Sequence, residues 1–323
     1  MACLLGAFSL KIGLMDKSFI GIEIGGTKLQ IVVGNEEARI LERHRFSVDP
    51  GKGGAGIREH IKKCVSDLTT QKRIQAIGVG YGGPVDWETG QICCSHHVQG
   101  WSDFPLGEWL ADIAKCPVYV DNDADVASLG EATHGAGKGF NPVFYVTLGS
   151  GVGGGLVRDG RIYHGAKPGE SEIGHIRIDR SGAILESRCA GWSVDAKIRE
   201  AIKNAGDSIL SKLARQFPRA EAKALRPALM QGDLLAKQIL NETAGDLAFG
   251  LSHVIHLFHP SIIVVGGGLS LIGDPLMEAV NTALPQWIMK AFLPGPRVVL
   301  SGLGEDVVPT GALTLAANTS GSR

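Results

Sequence analysis

The sequence predicts an α/β protein of two domains, and three observations carry that prediction. A short apolar strand, a glycine-rich turn and a second apolar strand run from Phe19 to Val33, and the same series recurs from Val143 to Val157. After each copy the pattern alternates between amphipathic helix and apolar strand, which implies a mostly parallel sheet covered on both faces. The length of 323 residues suits two domains of about 100 to 200 residues each.

The first hairpin turns at Gly25, Gly26, Thr27 and Lys28. Glycine lets backbone N–H groups approach an anion closely and takes up positive φ, and the Thr27 hydroxyl adds a donor. Ile57 to Leu68 reads as an amphipathic helix, with apolar residues at 57, 61, 65 and 68. Ile74 to Gly80 reads as a strand that ends in a loop from Tyr81 to Asp86. Trp101 to Ala114 reads as a helix and Pro117 to Val120 as a buried strand; Asp121, Asn122 and Asp123 follow, then a helix from about Val126. The first sheet ends there, near residue 124.

The second hairpin turns at Gly149, Ser150 and Gly151. Beyond it come a glycine-broken loop from Gly165 to Gly174, helices around 190–204 and 233–258, and a strand from Ile262 to Val265 ending in Gly266, Gly267 and Gly268. A further helix, a strand from Arg297 to Leu300 and a helix near Gly311 to Ala317 complete the chain. The expected division is an extension over 1–18, a smaller α/β domain over 19–124 completed by a C-terminal helix at 308–323, and a larger α/β domain over 125–307. Either hairpin alone is also an ordinary glycine turn. Two in similar strand contexts favour a pair of anion-binding turns facing across a cleft.

A net charge of −1 with 20% charged residues leaves no basic stripe for nucleic acid or an anionic membrane. No apolar run approaches the roughly 20 residues a spanning helix needs. Residues Met1 to Asp16 lack the basic start and small-residue cleavage site of a signal peptide. Six cysteines without a C-x-x-C pair fit a reduced, cytoplasmic protein. His253, His256 and His259 are spaced so that the outer pair lies about 120° apart around a helix, which suits a helix C-terminus better than one shared metal ion.

Ligands of open α/β sheets collect at the C-terminal ends of strands. Asn122 and Asp123 stand just past such a strand, where a carboxylate can take a proton from a substrate hydroxyl; the same pair also reads as a turn or helix cap. Glu172, Gly174 and His175 offer the carboxylate and imidazole groups that suit sugar hydroxyls, although each also reads as an ordinary loop residue. Glu186 equally reads as a surface carboxylate opening a helix.

Glu23 to Lys28, Gly80 to Val85, Asp121 to Ala124 with Gly130 and Glu131, Leu148 to Gly155, Glu172 to His175, and Val264 to Gly268 follow one another as they do in ROK-family sugar kinases, of which bacterial glucokinases are typical. The resemblance spans about residues 19 to 317. It implies the actin-like ATPase fold, two ribonuclease-H-like domains around a cleft that closes over substrate. It also implies ATP-dependent phosphorylation of a hexose, foremost glucose to glucose 6-phosphate, with Mg²⁺. By the same resemblance Asp123 is the catalytic base, and Gly83, Asn122, Asp123, Glu172, His175 and Glu186 contact the sugar. Gly25, Gly26, Thr27, Lys28, Gly149, Ser150 and Gly151 form the phosphate loops, and Gly267 and Gly268 the adenosine-side turn. An N-acetylglucosamine or N-acetylmannosamine kinase is the alternative, as is a catalytically weak sugar-binding regulator. Repressors of the family carry an N-terminal helix-turn-helix module, and fewer than 20 residues precede the first hairpin. A homodimer or homotetramer is expected, with no nucleic acid or membrane partner.

Three positions depart from the family. Glu23 stands where Asp is usual, and is expected to reach Mg²⁺ through water. The zinc-binding cysteines are absent: Arg177 to Ala183 holds none and Ile184 replaces the last, so no structural zinc is expected. His97 replaces an asparagine facing the sugar, which shifts the expected substrate preference.

Overall fold

In the computed structural model the described residues are 17–26, 28–95, 98–167, 169, 171–204 and 207–320. Thr27, His97, most of the expected N-terminal extension and the last residues of the expected C-terminal helix lie outside them.

Strands β1 (Ser18–Ile24), β2 (Lys28–Gly34) and β3 (Ile40–Ser47) form an antiparallel meander, and helix α1 (Gly53–Gln71) crosses to β4 (Ile74–Tyr81), which pairs parallel to β1. A short ribbon, β5 (Val85–Asp86) with β6 (Gln91–Ile92), and α2 (Leu106–Ala114) lead to β7 (Val118–Asn122). The sheet order is β3-β2-β1-β4-β7. Helix α3 (Asp123–His134) then leads to the second sheet: β8 (Val143–Leu148), β9 (Val152–Arg158) and β10 (Arg161–Ile162) in a second antiparallel meander. Helices α4 (Glu186–Cys189), α5 (Gly191–Asn204), α6 (Ile209–Ala214), α7 (Leu225–Met230) and α8 (Leu234–Phe258) precede β11 (Ile262–Gly266). After it come α9 (Asp274–Ala283), β12 (Arg297–Leu300) and α10 (Val307–Ser320). The second order, β10-β9-β8-β11-β12, repeats the first strand for strand.

Both faces of the first sheet are covered, which is why its strands read as continuous apolar runs. Alternate residues point to opposite faces. Ile20, Ile22 and Ile24 pack with Ile57, Ile61, Val65 and Leu68 on the α1 side, whereas Phe19, Val32 and Ala76 pack with Leu313 and Ala316 of α10. The last helix thus returns to the first sheet. It sits so close that a Cβ on Gly78 would run into the Ala312 carbonyl oxygen. On its other side α10 meets α3, whose Val126 and Ala127 share a core with Val143, Tyr145 and Val264 of the second sheet. Helices α3 and α10 therefore form the layer between the two sheets.

Each sheet is half antiparallel rather than mostly parallel, because each hairpin is extended by a further antiparallel strand, β3 or β10, where no strand was expected. Helix α1 begins at Gly53, ahead of the expected Ile57. Two further boundaries differ from expectation. Residues 101–105 are not helical: α2 starts at Leu106, after Pro105, while Trp101 is fully buried and stacks edge-on against Phe104 at 5.2 Å. Their i, i+3 spacing mimics a helix, but the two rings pack as a loop plug. Helix α3 starts at Asp123 rather than near Val126, because the Asn122 side chain accepts a hydrogen bond from the Ala124 N–H at 2.8 Å and caps it.

Candidate active site

The carboxyl ends of the two central strands, β1 and β8, open onto one cavity of about 300 Å³. Glu23, Lys28 and Asp123 line it from the first sheet and its following helix. From the second come Tyr145, Thr147, Gly266, Gly267 and Gly268, with Ser270, Leu271, Ser301, Glu305 and Val308 closing the far end.

Asp123 occupies the N-terminal position of α3, and Asn122 fixes the chain there by capping the helix and donating to the Gly83 carbonyl at 3.2 Å. Asn122 is thus the cap of α3, and Asp123 lines the cavity. Gly82 leaves room beside the carboxylate, since a Cβ there would lie 3.3 Å from Asp123 Oδ2 and 3.7 Å from Gly25 Cα. By area Asp123 is half-buried, but the protein encloses it closely. Desolvation, with Glu23 and then Glu172 adding negative charge, pushes its carboxyl up to about 7, against the opposing pull of the Ala124 and Asp123 backbone N–H groups. A carboxylate that titrates near neutrality is suited to general-base work.

Glu23 accepts hydrogen bonds from Gln30 Nε2 at 2.5 Å and lies 3.4 Å from Lys28 Nζ. The turn between them closes through the Gly25 N–H to the Lys28 carbonyl at 2.9 Å, with Gly26 at its bend. Two carboxylates on one cavity, one of them raised by the other, form a negative pocket that a divalent cation offsets. Mg²⁺ characteristically takes one or two protein carboxylates and completes its shell with phosphate oxygens and water, so this donor set fits it.

Zinc does not fit. Among the described residues no cluster of three or more His, Cys, Asp or Glu side chains is placed to hold a metal. Where a metal loop is usual in the family, Asp179 Oδ1 instead accepts from Ser181 Oγ, Gly182 N and Ala183 N at 2.6, 2.9 and 3.0 Å, and Arg177 pairs with Ile184 across the turn. These hydrogen bonds hold the Asp179 carboxyl below its ordinary range.

The second glycine turn is closed by the Gly149 N–H to the Gly151 carbonyl at 2.9 Å, with Ser150 between them, and the N-terminal Gly191 of α5 donates to the Gly149 carbonyl at 2.8 Å. A helix N-terminus beside a glycine turn favours an anion. Glu186 opens α4, as its surface reading has it, but its Oε2 accepts from the Val152 N–H at 2.9 Å, packed so close to Gly151 that a Cβ there would sit 2.7 Å away. Gly267, at φ +81°, abuts Leu148, so the Gly266–Gly268 turn lies directly beside this second turn. Glu172 and His175 face each other at 3.9 Å on the following loop, both well exposed. The structure therefore brings Glu23, Lys28, Asp123, Gly267 and Gly268 into one cavity. Gly25, Gly26, Gly83, Asn122, Gly149, Ser150, Gly151, Glu172, His175 and Glu186 do not line it.

Several functional neighbours escaped the sequence reading. Ser301 and Glu305 lie just past β12, a strand end that the same rule would have flagged. Glu131, matched only as part of a motif, holds that wall: its carboxylate accepts from Ser301 Oγ, Gly302 N, Leu303 N and Ala136 N at 2.5 to 3.1 Å. His164 gave no signal. It stacks on Trp87 at 4.2 Å and bonds Asp121 Oδ2 at 2.7 Å, while Asp121 Oδ1 accepts from the Asn122 N–H. The three helix-end histidines contact protein groups, His253 the Phe249 carbonyl, His256 the Met289 N–H and the Phe292 ring, and His259 the same Phe292 ring at 4.4 Å.

A repeated five-strand order, a cleft between the repeats and paired glycine turns at strand ends define an actin-like ATPase fold built as a sugar kinase. The chain belongs to the ROK family, whose family model matches residues 19–319. It is 30% identical over 304 residues to a glucokinase of Thermotoga maritima, covering 92% of this chain and 96% of that one. The crystal structure of a ROK family glucokinase from Streptomyces griseus in complex with glucose and AMPPNP superposes with a TM-score of 0.80 at 28% identity, over 93% and 99% of the two chains. A ROK hexokinase from Thermus thermophilus superposes with a TM-score of 0.76 at 26% identity, over 95% and 100%. The protein is a sugar kinase that uses ATP with Mg²⁺.

Proposed function

We propose that this chain transfers the γ-phosphoryl group of ATP to a hexose, glucose first, with Asp123 as the general base. The observation that carries the reading is Asp123 itself, held at a capped helix start in the cavity between the sheets and pushed up to about 7. In this reading Asn122, Gly83, Glu172, His175 and Glu186 orient the sugar, and Asp123 takes the proton of the attacking hydroxyl. Lys28 and the glycine turns at 25–28 and 149–151 cradle the phosphates, and Gly267 and Gly268 border the adenosine. Glu23 would be the protein group that holds Mg²⁺, which would supply positive charge to offset the phosphates. Positioning and charge stabilisation then do most of the work, the base adding about 10²- to 10⁴-fold. The glucose and nucleotide held by the Streptomyces griseus relative support this choice of substrates.

The test is a coupled assay with ATP and Mg²⁺ over glucose, N-acetylglucosamine, N-acetylmannosamine, mannose and fructose. Glucose is expected to give the highest kcat/KM; preference for an N-acetylhexosamine replaces glucose in the reading, and no turnover with any sugar ends it. Asp123→Asn is expected to remove at least about 10²-fold of kcat while leaving sugar affinity within a factor of about two. An active Asp123→Asn protein removes Asp123 as the base.

A further inference from the structure

The residue opposite Glu23 carries a role of its own. Glu23 and Gln30 are direct cross-strand partners in the β1–β2 hairpin. Gln30 is completely buried, so both ends of its amide need partners. Its Oε1 accepts from Arg43 Nη1 at 2.8 Å, with Arg45 Nε at 3.5 Å, and its Nε2 donates to Glu23 Oε2 at 2.5 Å. The guanidinium decides which way the amide points: the oxygen must face Arg43, and the NH₂ is thereby aimed at Glu23. Arg43 is held in turn by Asp306 Oδ1 at 2.7 Å, next to Gly304 and Glu305 on the cavity rim.

Without that tether Glu23 has every reason to swing away. Its side chain has three rotatable bonds, and across the cavity stands Asp123, a like charge that it raises. Both observed contacts, Gln30 and Lys28, fall on Oε2. Oε1 takes no hydrogen bond among the described residues and is the oxygen left for a cation or its water.

We propose that Gln30 is a positioning residue for nucleotide binding: its amide, oriented by Arg43 and Asp306, holds the Glu23 carboxylate in the cavity where the metal-bound phosphates sit. The proposal rests on the assignment of Glu23 to the phosphate side. The experiment is a double-mutant cycle read by calorimetric binding of MgADP, which needs no turnover, with Gln30→Met, Glu23→Ala and the double variant. Gln30→Met is expected to weaken MgADP roughly tenfold in the parent and to have no further effect in the Glu23→Ala background. In turnover, KM for MgATP rises while KM for the sugar stays put. An unchanged MgADP affinity in Gln30→Met, or an equal loss in both backgrounds, overturns the proposal. Should Glu23→Ala itself bind MgADP like the parent, the phosphate-side assignment of Glu23 fails instead. Arg43→Met carries the same test if Gln30→Met does not fold, since Arg43 reaches Glu23 only through Gln30; a loss of MgADP affinity that persists without Glu23 counts against the proposal.

Discussion

Asp123 is a carboxylate whose surroundings disfavour its charge, and two predictions follow from that one residue. In the free enzyme kcat/KM for the sugar is expected to fall as pH drops below about 7, because the base is then protonated. Desolvation is the larger cause of the raised value and Glu23 the next, so Glu23→Gln should move this acid limb to lower pH. A limb that stays in place, or moves up, contradicts the electrostatic coupling. The second prediction concerns stability. Between the ordinary value of 3.8 and the folded value of about 7 the folded chain binds a proton that the unfolded chain has released. Stability conferred by this group is therefore lost as pH rises through that window and stays lost above it. Asp123→Asn abolishes the penalty. Its melting temperature should exceed the parent's at pH 8 and match it near pH 4; a lower value at pH 8 refutes the assignment.

At the scale of elements, the far wall of the cavity depends on one buried carboxylate. Glu131, on α3, collects four donors, three of them from residues 301–303 after β12. Glu131→Gln puts an NH₂ group against donors that need an acceptor, at a cost of about 2–4 kcal/mol. Urea unfolding should show that loss, and ATP affinity should fall while sugar affinity does not; unchanged stability would remove Glu131 as the anchor. Elements of this kind were unevenly legible. The hairpins showed because strands buried on both faces leave continuous apolar runs around a glycine turn. Helices α6 and α7, six residues each, are too short to establish a period, and the Trp101–Phe104 plug imitated one.

At the scale of the whole molecule, the loop after β10 reaches back to the first sheet. His164 stacks on Trp87 and bonds the buried Asp121, while Lys167 pairs with Asp86 at 3.1 Å and with Glu88. The two contacts are unequal. The lysine contact is exposed and screened by solvent, so Lys167→Ala should leave the urea midpoint almost unchanged. His164→Ala removes a ring stack and leaves the buried Asp121 Oδ2 without its partner, at about 2–4 kcal/mol. Equal effects of the two substitutions would show that the His164 contact is not the stronger of the two.

What the sequence determined by itself is local: two glycine hairpins, the parallel strands that follow each of them, and the carboxylate just past a strand end, Asp123. These are legible because period, glycine and strand-end position are written in neighbouring residues. What only the tertiary structure decided is which distant residues meet. It returns α10 to the first sheet, sets Glu131 against a loop about 170 residues away, and raises Asp123 by burial beside Glu23. It also turns the longer carboxylate of Glu23 into a tethered one, through Gln30 and Arg43. Charge and hydrogen bonding act through space over a few ångströms, and no spacing along the chain encodes that distance.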